Sequence, residues 1–81
     1  MQKDVERYLS KFRRGRDDCE EEIDVTHIPF ALLAEAFPPA PDDPLLYCAY
    51  RVQPQHLAVL QKHIGAGIDL DRYEYFLEAR Q

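Results

Sequence analysis

The chain has 81 residues, 46% of them apolar and 11% aromatic, and a formal net charge of −5 from ten Lys and Arg against fifteen Asp and Glu. That length suits one domain with a thin core, burying roughly 60% of the surface its unfolded chain exposes. The acidic balance argues against nucleic acid as a partner, because no counterion release would reward binding, and no apolar run approaches the roughly 18 residues of a membrane span.

The N-terminal MQKDVERYLSK is charged and lacks the apolar stretch of a signal peptide, which points to the cytoplasm. Val5, Tyr8, Leu9 and Phe12 have helical spacing, with Gly15 as a C-terminal cap, yet the same segment also reads as a strand. Charge favours the strand. Residues 3–16 carry six basic and two acidic groups, and residues 17–24 carry six acidic ones. A hairpin turning at Arg14-Gly15-Arg16-Asp17 sets these blocks opposite each other, at roughly 0.2–1 kcal/mol per cross-strand pair. In its second strand Cys19, Glu21, Ile23 and Val25 share one side, the period of a half-buried strand with Glu21 as a flaw. Cys19 and Cys48 are expected to be small buried hydrophobes rather than a bridge or a catalytic thiol.

Residues 29–37 are expected to be helical, with Thr26 or His27 at the cap, Pro29 in the first turn and Pro38-Pro39 as the stop. Phe30, Leu33 and Phe37 form its inward stripe. PPAPDDP is a stiff connector, and Leu45–Val52, apolar and aromatic, predicts a central strand. Gln53-Pro54 opens a second helix with Leu57, Leu60 and Ile64 inward, ended by Gly65-Ala66-Gly67. Residues 68–80 fit either a strand or a helix capped by Asp69 or Asp71, and aromatic density favours the strand. The expectation is an α+β domain of order ββαβαβ, a largely antiparallel sheet with two helices on one face.

Motifs for chemistry are weak. His56 and His63 lie two turns apart, too far for a metal pair, and no CxxC accompanies them. Asp42-Asp43 and Asp69-x-Asp71 lack the further ligands and the glycine of a calcium loop. Glu20, Glu21 and Glu22 fit a solvated face better than an acid–base pair. There is no phosphate loop or nucleophile elbow, so neither an enzyme nor a cofactor or metal is expected.

The segments IDVTHIPFALLAEAF (23–37), DDPLLYCAYRV (42–52) and IDLDRYEYFLEA (68–79) resemble an uncharacterised family of small acidic bacterial proteins. The resemblance implies strands at both ambiguous ends and supplies no activity. By analogy of size and charge alone, such proteins resemble immunity proteins that neutralise a toxin of the same cell. The leading expectation is therefore a cytoplasmic protein that blocks a basic toxin domain. Its contacts would be an acid-and-tyrosine patch of Asp42, Asp43, Tyr47, Asp69, Asp71, Tyr73 and Glu74, since the DDCEEEID run is answered by the basic segment before it. The competing reading is a regulatory module forming a homodimer through a sheet edge, and a small enzyme comes third.

Overall fold

The change of sign along the N-terminal third becomes a hairpin. In a computed structural model describing residues 5–65 and 67–80, β1 (Glu6–Arg13) pairs antiparallel with β2 (Cys19–Asp24). Residues 1–4 of the charged N-terminus and Ala66 of the glycine stop lie outside the described residues. The turn closes with the Arg16 N–H donating to the Arg13 carbonyl at 3.0 Å, and Gly15 takes φ 82°. That positive angle suits the third position of a type II turn, where glycine has no Cβ to clash. Lys11–Glu21 at 3.5 Å and Arg13–Glu20 at 3.6 Å join the two charge blocks. Exposed pairs of this kind contribute about 0.2–1 kcal/mol each.

On its other side β1 pairs antiparallel with β4 (Tyr73–Arg80), placing Leu9 opposite Leu77 and Arg13 opposite Tyr73. β3 (Tyr50–Arg51) adds antiparallel to β4, giving the order β2-β1-β4-β3. The central strands are thus the two segments whose helix or strand character the sequence left open. Alternation decides it. Leu9, Tyr75 and Leu77 are fully buried on one face, while Tyr8, Phe12 and Phe76 lie half-buried on the reverse, where Phe12 and Phe76 meet edge to face at 5.8 Å. A helix would have put Tyr8 and Leu9 on one side.

Helices α1 (Phe30–Ala36) and α2 (Leu57–His63) close the buried face, where Leu33 and Leu60 join Leu9, Leu46, Tyr75 and Leu77 in one core cluster. α1 starts from the Pro29 carbonyl, which accepts the Leu32 and Leu33 N–H groups at 3.0 and 3.2 Å. Thr26 does not cap it; its hydroxyl instead accepts from the Arg7 N–H and donates to the Arg7 carbonyl. His27 contacts the His63 carbonyl. A short 3-10 turn, Pro54–His56, leads into α2. In that turn His56 Nδ1 accepts the Gln53 N–H at 2.8 Å and its ring stacks on Phe37 at 3.9 Å.

The α+β class and the order ββαβαβ are as expected. Several details differ. The run from Leu45 to Val52 yields only a two-residue edge strand, because Leu45 to Cys48 are drawn into a loop around Asp43. β2 is exposed except at Ile23, since it forms the opposite edge with no helix over it. Both cysteines are free and exposed: a bulge in β2 shifts Cys19 opposite Phe12, and Cys48 rides on the loop. Phe30 is exposed rather than inward, sitting at the start of α1 beyond the edge of the core.

Leu77 is fully buried and paired to both β1 and β3. Leu77→Ala is expected to destabilise the domain by about 2–5 kcal/mol, read as a lower urea midpoint. Leu45→Ala, at the surface, is expected to stay within about 0.5 kcal/mol of the parent.

Candidate protein-binding surface

The loop between α1 and β3 is organised by one carboxylate. Asp43 is 7% exposed and accepts the Tyr47 N–H at 2.9 Å, the Cys48 N–H at 3.0 Å and the Tyr50 hydroxyl. Its own N–H donates to the Ala40 carbonyl at 2.9 Å, and its carbonyl accepts from Leu46 at 3.2 Å. The side chain thus does for a loop what an N-cap does for a helix. The Tyr50 hydroxyl, then the Cys48 and Tyr47 N–H groups, hold the Asp43 carboxyl down to about 2, and the same contact pushes the Tyr50 phenol up to about 12.

From below, β1 sends up Arg7. Its guanidinium donates to the Leu46 carbonyl at 2.8 Å and the Leu45 carbonyl at 2.9 Å, and the residue is only 9% exposed. Burial lowers its pKa from the ordinary value, against the opposing pull of Tyr47 and Asp43; an arginine stays charged throughout. The Phe30 ring covers the guanidinium carbon at 5.2 Å, a cation–π contact. Between the two clamps Leu46 takes φ 56° with its side chain fully buried. This left-handed backbone costs about 1–2 kcal/mol, and burial of the side chain and the bonded carbonyl hold it in place.

Phe30, over the Arg7 guanidinium, and Leu45 and Tyr47, on either side of Leu46 in the clamped loop, are exposed by 38%, 48% and 45%. They are the exposed large hydrophobic residues among those described. Beside Tyr47 lies a shallow recess of about 290 Å³ lined by Val5, Tyr47, Ala79 and Arg80. What this surface offers chemically is apolar area and a phenol on a backbone that is already fixed, the composition of a binding hot spot.

The candidates expected from sequence fall into two groups. Asp42 and Tyr47 are exposed at the clamped loop, with Asp43 turned inward as its organiser. The others lie at the far end of β4. Tyr73 and Ala79 are at opposite ends of that strand, about 20 Å apart at roughly 3.3 Å of rise per residue. There Tyr73 lies under Lys11 at 4.1 Å and Arg13 at 5.4 Å. Glu74 takes Arg51 at 2.8 Å and Arg14 at 3.6 Å. Asp69 accepts the N–H groups of Asp71 and Arg72 at 3.0 and 3.3 Å, closing the turn before β4, and Asp71 is exposed. Sequence reasoning missed Phe30, Leu45 and Arg7. The signal available was the pair of leucines between Pro44 and Tyr47, Leu45 and Leu46, of which a thin core needs only one.

Among the described residues no group of three His, Cys, Asp or Glu side chains is arranged to hold a metal ion, and no helix is long and apolar enough to cross a membrane. Fold and surface define an α+β sheet domain that carries an apolar cluster on a clamped loop. The chain belongs to the family described as Domain of unknown function (DUF7683), whose model matches residues 6–78. No curated protein and no solved structure matches it.

Acid should act on the domain in two windows, one at the clamp and one at the His56 turn. Folding lowers the Asp43 pKa from 3.8 to about 2 and so favours its ionised form; that contribution is complete above about pH 4 and is lost as pH falls toward 2. Burial lowers the His56 pKa from 6.5 and favours the neutral ring, so its contribution is complete above that value and declines as pH falls below it. Urea midpoints measured across pH should show Asp43→Asn flattening the lower window, with a residual slope from Asp24, whose carboxyl Thr26 holds down. His56→Gln should flatten the upper window.

Proposed function

We propose that this domain is a non-catalytic binding module that docks a protein partner through Phe30, Leu45 and Tyr47, and that the partner is basic, of the kind an immunity protein neutralises in the bacterial cytoplasm. The observation that carries the reading is that the exposed large hydrophobic residues among those described are Leu45 and Tyr47 on the clamped loop and Phe30 over the arginine that clamps it. A loop fixed before binding loses little entropy on association, so the apolar area it presents converts efficiently into affinity. Tyr47, apolar along its ring and polar at its tip, suits the centre of such a contact. The net charge of −5 favours a positively charged partner by steering encounter.

The test uses a basic toxin domain encoded beside this chain. Leu45→Ala with Tyr47→Ala is expected to weaken binding by about 30-fold or more, the loss typical of a hot spot, and to abolish rescue of cells expressing the toxin. The urea midpoint should stay close to the parent's. Binding and rescue unchanged in the double variant would sink the assignment of the surface, and no rescue by the parent chain would sink the immunity reading. A stable homodimer by light scattering, broken by the same substitutions, would instead assign the cluster to a second copy.

A further inference from the structure

β2 forms one edge of the sheet, and no strand among the described residues pairs with its outer side. The Val25 N–H donates to the Arg7 carbonyl at 2.9 Å, continuing the register that sets Leu9 opposite Ile23 and Lys11 opposite Glu21. Backbone groups alternate between the two sides of a strand. Ile23 and Glu21 therefore point at β1, while the N–H and C=O groups of Glu22 and Asp24 point away from it. Every residue of β2 except Ile23 is exposed.

The side chains decide what can pair there. Glu20, Glu21 and Glu22 are met by Arg13, Lys11 and Arg80 in exposed ion pairs, with Asp24 and the preceding Asp17 and Asp18 in excess. A second copy added to this edge would set acids against acids, which cross-strand repulsion disfavours. An extended segment with Lys or Arg at alternate positions meets the opposite charge, and exposed ion pairs are weak enough to exchange partners. Arg80, bonded to Glu22 at 2.7 Å and lying over Tyr8 at 4.3 Å, holds the Glu22 side chain on the face of the sheet away from the helices.

We propose that the outer edge of β2 is a strand-addition site at which a basic extended segment of a partner protein pairs with the backbone of Glu22 and Asp24 as a fifth strand. Its energetic basis is main-chain hydrogen bonding with charge selecting the strand. It therefore stands independently of the contacts made by Phe30, Leu45 and Tyr47.

The probe is a ten-residue peptide of alternating lysine and valine, compared with its glutamate–valine counterpart. Amide exchange of the full chain is followed by NMR. The lysine peptide is expected to slow exchange at Glu22 and Asp24 by about tenfold or more, the glutamate peptide to leave it unchanged, and Glu22→Lys with Asp24→Lys to reverse the preference. Leu45→Ala with Tyr47→Ala should leave peptide binding intact, which separates this site from the apolar cluster. Binding without protection at those two amides, or equal protection by both peptides, would overturn the proposal. Protection rising with protein concentration in the absence of peptide would overturn it too, by assigning the edge to a second copy.

Discussion

Arg7 ties two segments distant in sequence to the central strand β1. Its backbone N–H and carbonyl exchange hydrogen bonds with the Thr26 hydroxyl, and the carbonyl also accepts from Val25, fixing the corner where β2 turns toward α1. Its guanidinium fixes the loop before β3 through the Leu45 and Leu46 carbonyls. A buried cation is costly unless its donors are met. Here two carbonyls, an aromatic face and the field of Asp43 meet them. The planar fork of arginine reaches two successive carbonyls at once, which the single ammonium of lysine does not.

Residues 38–49 contain no helix or strand, yet they have little freedom. Asp43 binds backbone N–H groups from one side and Arg7 binds carbonyls from the other, so donors and acceptors of the same short segment are fixed by opposite charges. Leu46 shows how firmly, since it holds a left-handed backbone with its side chain in the core. The exposure of Leu45 and Tyr47 follows directly. Once Leu46 points inward and Asp43 is occupied beneath, their side chains have nowhere to go but solvent.

The sheet was legible because its signals are local. The charge blocks on either side of Gly15 and the alternating aromatics of β4 each fall within one hairpin or one strand, and both become sheet. Leu45–Val52 misled because apolar, aromatic composition predicts a strand without regard to the Asp two residues earlier, whose side chain competes with the ladder for the same N–H groups. Phe30 fits a helical stripe with Leu33 and Phe37, but where a stripe leaves the core depends on where the sheet ends. The two acid-and-tyrosine clusters look alike in sequence, and only the β1–β4 register shows that they occupy opposite ends of an eight-residue strand. Arg7 was invisible for the same reason: its partners lie 38 and 39 residues away.

The structure also changes what the acidity of this chain means. Glu20, Glu21 and Glu22 are met by cations of β1 and β4, Glu74 by Arg51 and Arg14, Asp69 closes a turn, and Asp43 is consumed inside its loop. Among the described residues Asp17, Asp18, Glu35, Asp42 and Asp71 are exposed without an ion-pair partner, scattered over the surface and not gathered into one patch with a tyrosine. The charge excess of −5 therefore acts chiefly as a field, felt over about one Debye length of 8–10 Å at physiological salt. A field steers an encounter without choosing among basic partners. Discrimination needs short-range contact as well, and at the loop it is offered by the exposed apolar side chains beside Arg7 and Asp43.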